Sequence, residues 1–267
     1  MYKMNLSVVL ITKNEEKILA RCLEAVSGAG EIIIVDSFST DRTVEIAKAY
    51  GAKVFMKKWE GYSKQKNFAI SRAKNPWILS LDADEIVTPE LKEEIKEITC
   101  GSGSTVEISG FFIPRRTYFY GCLMRHGKVY PDYQMRLFKN GSGSFEETEI
   151  HERLIVDGKS GRLKNPLLHY SKTDVGAHIS AVNSYTELEA KRAVKLGYRP
   201  TGYSVIIKPF LYFMKHYIWK FGFLDGMAGL VYYSINAAYV FLKEVKAMEA
   251  AGMESIDLIG TIFKRAR

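Results

Sequence analysis

Four short apolar runs, separated by stretches of helical periodicity, occupy the first hundred residues and leave little choice of architecture. Leu6-Ser7-Val8-Val9-Leu10-Ile11, Glu31-Ile32-Ile33-Ile34-Val35-Asp36, Lys53-Val54-Phe55-Met56 and Trp77-Ile78-Leu79-Ser80-Leu81 are strand-length and mostly apolar. Strands covered on both faces read this way. Between the first two, Ile18, Leu19, Cys22, Leu23 and Val26 recur on one helical face. Asn14 is expected to cap that helix, with Glu15 and Glu16 against the positive end of its dipole. Ser39 or Thr40 is expected to cap a second helix, which stops near Gly51. A third begins near Ser63 and ends before Asn75-Pro76. Thr88-Pro89-Glu90 reads as an N-cap with proline at the first helical position, and Leu91, Ile95 and Ile98 mark that helix's buried face. Successive βα units build a parallel sheet covered by helices, which binds ligands at the carboxyl ends of its strands.

The pattern changes after Cys100-Gly101-Ser102-Gly103-Ser104. From Gly110 to Tyr170 the signals are short strands and turns, and from about Asp174 onward they are helical. We therefore expect an α/β domain over residues 1–172 and a helical region over 173–267. With 267 residues there is ample core for one large domain. Three widely spaced cysteines, Cys22, Cys100 and Cys122, form no CxxC pair, which favours a reduced, cytoplasmic protein over a disulfide or zinc framework. The start of the chain does not read as a signal peptide. A net charge of +8 asks for an anionic partner. No zinc-finger, RNA-recognition or basic-arm pattern accompanies it, so no nucleic acid is expected.

Three polar clusters follow or end sheet strands: Thr12-Lys13-Asn14-Glu15, Asp36-Ser37 and Asp82-Ala83-Asp84. In a parallel sheet they converge on one edge. Carboxylates crowded as in Asp82-Ala83-Asp84-Glu85 repel unless a positive charge lies among them. A hard divalent cation, Mg2+ or Mn2+, takes such oxygen ligands and can hold a diphosphate at the same time; the plainer reading is a polar strand end entering a loop. Neither a GxGxxG turn nor a P-loop follows the first strand. Phosphates bound here must be held by metal and side chains, which points to a nucleotide-sugar.

Val9-Leu10-Ile11-Thr12-Lys13-Asn14-Glu15, Ile34-Val35-Asp36-Ser37-Phe38-Ser39-Thr40-Asp41-Arg42-Thr43 and Leu81-Asp82-Ala83-Asp84-Glu85 closely resemble the three opening motifs of family 2 glycosyltransferases, inverting enzymes with the GT-A fold. Pro131-Asp132-Tyr133-Gln134-Met135-Arg136-Leu137-Phe138, Ile150-His151-Glu152 and Leu168-His169-Tyr170-Ser171 look like the bacterial subgroup that adds sugars to lipopolysaccharide core. The resemblance covers most of residues 5 to 175.

It implies a nucleotide-sugar donor, a UDP-sugar such as UDP-glucose, and a saccharide or glycolipid acceptor. Thr12, Asn14, Glu15 and Asp36 become contacts to base and ribose. Asp82 lies near ribose or donor sugar and shares a metal with Asp84, the principal ligand, and His169 is a third ligand. Lys66 and Asn67 match a donor-side element imperfectly, and a solvated helix face is their alternative. Arg136 is a phosphate contact or a structural ion pair. Inverting transfer needs a base for the acceptor hydroxyl; Glu152 is favoured, with Asp132 and Glu149 as rivals.

Aromatics and lysines interleave between Tyr203 and Phe241, including Phe210-Leu211-Tyr212-Phe213 and Trp219-Lys220-Phe221-Gly222-Phe223. They suit a helix lying on the inner face of the cytoplasmic membrane, or a packed core. Gly226 to Leu242 is too short and polar to be read as a span. A polyprenyl-phosphate sugar transferase and a non-catalytic sugar- or lipid-binding protein on the same scaffold are the remaining readings.

Overall fold

A computed structural model describes residues 3–101, 107–146, 153–171 and 175–253. Along the chain run β1 (Leu6–Thr12), α1 (Leu19–Ala25), β2 (Glu31–Asp36), α2 (Thr43–Ala49), β3 (Lys53–Met56), α3 (Tyr62–Ser71), β4 (Trp77–Asp82), β5 (Glu85–Val87) and α4 (Pro89–Cys100). Next come β6 (Ile108–Phe119), β7 (Cys122–Leu123), β8 (Asp132–Lys139), β9 (Gly143–Phe145), β10 (Leu154–Val156), β11 (Lys159–Arg162) and β12 (Leu167–Ser171). Helices α5 (Val175–Lys195), α6 (Gly202–Phe213) and α7 (Gly226–Ala250) follow. A π-helical turn, Met214–Trp219, and a 3-10 turn, Gly222–Asp225, separate the last two. The chain divides into two compact units, Met1–Arg116 with Pro131–Tyr170, and Thr117–Tyr130 with Ser171–Arg267.

In the first unit the strands lie in the order β3-β2-β1-β4-β8-β6-β12-β5, with β11 beside β6. The first four are mutually parallel, and β8 runs antiparallel to both β4 and β6. Side chains alternate across a strand, so β1 feeds two cores. Val8 and Leu10 pack with Leu19, Leu23 and Leu79, while Val9 packs with Ile33, Val35, Ile78 and Phe138. Each fully buried Leu or Ile of this kind contributes about 1.5–3 kcal/mol. Register sets Thr12 opposite Asp36 and Ile11 opposite Asp82. The carboxyl ends of β1, β2 and β4 are therefore level.

Two helix starts differ from expectation. The α1 helix begins only at Leu19, with Ile18 at its N-cap position. Asn14 lies in a left-handed turn at φ +57°, its side-chain oxygen accepting from the Thr40 N–H at 2.8 Å. Arg42, without a side-chain cap, precedes α2. Ser39 and Thr40 are instead engaged by the loop after β1. Thr88 caps α4 as expected, accepting from the Leu91 N–H at 3.2 Å ahead of Pro89.

In the second unit the end of β6 pairs with β7. Phe119, Met124, Val129, Ala228 and Tyr233 form its core. The Tyr233 hydroxyl donates to the His126 carbonyl at 2.7 Å and accepts from the Lys128 N–H at 3.1 Å. Gly127 is positioned against this hydroxyl at φ +77°, and a Cβ there would lie 1.9 Å from it. Buried Glu244 on α7 accepts from Tyr198 at 2.5 Å and from Lys208 on α6 at 2.9 Å. Among the described residues no helix is long and apolar enough to cross a membrane.

Candidate active site

The loops after β1 and β2 are knitted together by side chains. Asp36 is fully buried. Its Oδ2 accepts from the hydroxyls of Thr12 at 2.8 Å and Ser39 at 2.6 Å, and its Oδ1 accepts from the Ser39 N–H at 2.7 Å. The Glu15 N–H donates to Thr43 Oγ1 at 2.7 Å, and Lys13 Nζ donates to the carbonyls of Ser37 and Phe38 at 2.8 and 2.5 Å. Buried Gln65 reaches up from α3 to Ser37 Oγ at 2.9 Å. Thr12, Asn14, Glu15 and Asp36 are thus brought together at the ends of β1 and β2. Asp36 acts through the loop it shapes and not as an open carboxylate.

At the end of β4 the carboxylates separate into two environments. Asp82 pairs through Oδ1 with Lys66 at 2.8 Å and through Oδ2 with Arg136 at 2.6 Å. Burial alone would raise its carboxyl, but Arg136 and Lys66 outweigh that and hold it well below the usual carboxylate range. Arg136 is itself buried and reaches Glu85, fully buried, at 2.6 Å. Burial opposes its charge, yet Asp82 and Glu85 prevail and push the guanidinium up. Glu85 Oε1 also receives Arg115 at 3.2 Å. Arg115 grips Asp132 Oδ2 through Nε at 2.9 Å and Nη2 at 2.6 Å, and Gln134 donates to Asp132 Oδ1 at 2.6 Å.

This alternating chain of charges corrects several expectations. Arg136 is the structural ion pair and not a phosphate fork. Asp82, expected to share a metal, has each oxygen neutralised by a cation. Lys66 is buried beneath the site, holding Asp82. Asn67, expected near the donor, clamps Phe145 with its amide, accepting from the N–H and donating to the carbonyl, both at 2.8 Å. Asp132 is held by Arg115 and Gln134. Glu152, with its rival Glu149, lies outside the described residues.

Asp84 is different. Its side chain is 37% exposed, and its Oδ2 lies 3.2 Å from His169 Nε2. Antiparallel pairing of β12 with β5 puts His169 opposite Glu85, and the Tyr170 N–H donates to the Asp84 carbonyl at 2.9 Å. Arg21 lies over the Tyr170 ring at 4.5 Å and donates to its hydroxyl. Among the described residues no three His, Cys, Asp or Glu side chains gather as a metal cage. One carboxylate and one imidazole fit a hard divalent ion whose other positions are filled by diphosphate oxygens and water. Such an ion would supply charge stabilisation to a departing diphosphate.

The sequence marks Glu85 only as a member of the carboxylate cluster at the end of β4, and it gives no signal for Arg115, inside β6.

This arrangement on a half-parallel sheet fits the expected GT-A architecture, and similarity to known proteins gives the family. Residues 7–126 match the family described as glycosyl transferase family 2. The chain is similar to the lipopolysaccharide core biosynthesis glycosyltransferase LpsC of Rhizobium meliloti (strain 1021), 32% identical over 255 residues, 90% of this chain and 93% of that protein. It is also similar to the uncharacterized glycosyltransferase RC0292 of Rickettsia conorii, 31% identical over 276 residues, 97% of this chain and 95% of that one. Among solved structures, mannosyl-3-phosphoglycerate synthase from Rubrobacter xylanophilus aligns with 43% of this chain and 41% of its own at TM-score 0.37 and 18% identity. The chain belongs to the family 2 glycosyltransferases. It is an enzyme that transfers sugar.

Proposed function

We propose that the protein moves a sugar, with inversion, from a UDP-sugar such as UDP-glucose to a lipopolysaccharide-core or other lipid-linked saccharide. The observation that carries the donor is the level edge of β2, β1 and β4. At about 4.8 Å per strand, the Asp36 loop and the Asp82–Asp84 turn lie roughly 10 Å apart, the reach from a nucleobase to its diphosphate. Base and ribose then meet the Thr12–Asp36 cluster, and the diphosphate meets Asp84 and His169 with a Mg2+ or Mn2+ ion. The name of the Rhizobium relative supports the acceptor class. Residues 1–172 carry catalysis in this reading, and 173–267 carry attachment.

Glu152 is the proposed base that takes the proton of the acceptor hydroxyl. In a turnover assay with UDP-sugar and Mn2+, Glu152→Gln should slow the chemical step by about a hundredfold or more. Full turnover in Glu152→Gln with loss in Asp132→Asn moves the role to Asp132. No release of UDP from any UDP-sugar by the unaltered protein would count against the donor.

A cytoplasmic location on the inner membrane face is part of the same proposal. Phe210, Leu211, Trp219, Phe221, Phe223, Leu224 and Met227 are all exposed, Trp219 by 63%, and Lys215 and Lys220 lie exposed among them. Aromatics with a basic rim suit an anionic lipid surface. Residues 201 to 267 hold eight Lys or Arg against five Asp or Glu, so the electrostatic share is modest. Co-sedimentation with anionic liposomes should be only partly reversed by salt. It should fall when Trp219, Phe221 and Phe223 become Ser. Protein that stays in the supernatant at low salt rules the membrane out.

A further inference from the structure

We propose that Phe38 is the stacking surface for the nucleobase of the donor, an inference that rests on the nucleotide reading above and adds a residue to it. Phe38 is third in the turn Asp36–Ser37–Phe38–Ser39, closed by the Ser39 N–H donating to Asp36 Oδ1 at 2.7 Å. That closure holds Phe38 at φ +60°, in the left-handed region. There the Cβ of a bulky residue crowds the neighbouring carbonyl, whereas glycine takes the conformation freely.

The ring gains little from the fold in return. Phe38 is 54% exposed, and among the described residues no ring or cation stacks on it. Its main chain is nonetheless fixed. Lys13 Nζ holds the carbonyls of Ser37 and Phe38. Asn14, itself left-handed, holds Ser39 and Thr40 from the loop after β1. A strained residue on a rigid mount, with its large apolar side chain in solvent, points to a function for that side chain.

Position narrows the ligand. The ring stands at the β2 end of the level edge, beside buried Asp36 and away from Asp84 and His169 at the β4–β12 end. The charged end of a nucleotide belongs with Asp84, so its flat, apolar end belongs with Phe38. A base offers a π-face to the ring and polar edges to the donors and acceptors of the two loops. A ring with few side-chain torsions, presented on a fixed backbone, loses little freedom when the base arrives.

Titration calorimetry with UDP, ADP and GDP in the presence of Mn2+, alongside thermal melting, tests the assignment. With whichever nucleotide the unaltered protein binds tightest, Phe38→Gly should lose affinity by about tenfold or more. It should melt close to the wild-type temperature, because glycine removes the strained Cβ while loosening the unfolded chain. Phe38→Trp, which keeps an aromatic face, should retain wild-type affinity, and Phe38→Leu should not. Wild-type affinity in Phe38→Gly overturns the role of Phe38 and leaves the nucleotide site standing. If the unaltered protein binds none of the three, both readings fall together. Loss of affinity with a lower melting temperature makes the ring a packing element and overturns the assignment.

Discussion

Asp84→Ala is expected to abolish sugar transfer while leaving the protein folded. Asp84 is more than one-third exposed, with His169 Nε2 3.2 Å from its Oδ2. A polar contact of this exposure contributes about 0–1 kcal/mol, so melting should shift by a few degrees at most. The chemical cost is far larger. In the proposed site, nothing else in the turn between β4 and β5 would hold a divalent ion against the diphosphate. Charge stabilisation of that kind amounts to several kcal/mol, so turnover should drop by about a thousandfold or more. His169→Ala should fall in the same direction by less, since an imidazole brings no negative charge to the ion. Measuring turnover beside thermal melting separates chemistry from folding. An Asp84→Ala variant with wild-type activity removes the metal from the account.

Arg136→Leu should produce the largest loss of stability. Arg136 is buried and answers two carboxylates, Asp82 and Glu85, of which Glu85 is fully buried. Removing one partner of a buried ion network leaves charge without compensation and costs about 3–5 kcal/mol. At roughly 2–4 °C per kcal/mol for a domain of this size, melting should fall by about 6–20 °C. The sign separates the two readings of this residue. A surface phosphate contact would leave melting almost unchanged and weaken nucleotide binding, whereas the structural ion pair lowers both. Lys66→Met should act in the same direction on Asp82, but with Arg136 and Glu85 still paired the loss should be smaller.

The parallel half of the sheet could be read directly, because β1, β2 and β4 are apolar on both faces and carry no competing helical period. The Thr88-Pro89 cap was equally plain, since its donor lies three residues along the chain. Asn14, Ser39 and Thr40 have the letters of caps, but their partners lie some 25 residues away, and a local pattern carries no information about such a bond. The same holds in the site. Asp84 and His169 meet through the β5–β12 pairing, which joins segments more than eighty residues apart; resemblance to the family suggested His169, and periodicity did not. Lys66, Asn67 and Arg136 look like ligand contacts in a string of letters, because polarity does not say whether a group is buried. Burial turns Lys66 and Arg136 inward, and half-buried Asn67 spends its amide on the Phe145 backbone. The grouping of Thr117–Tyr130 with the C-terminal helices depends on Gly127 fitting under Tyr233, a tertiary fact with no local sign.

Calorimetric titration of UDP with and without Mn2+ reaches the central claim most directly. In the proposed site Asp84 and His169 supply only two donors, and the remaining ligands of the ion come from the diphosphate, so ion and nucleotide should bind together. UDP should bind in the presence of Mn2+ and more weakly by about tenfold or more when the ion is chelated, each ligand raising the affinity for the other. Equal affinity in both conditions, or no binding of UDP in either, would contradict it.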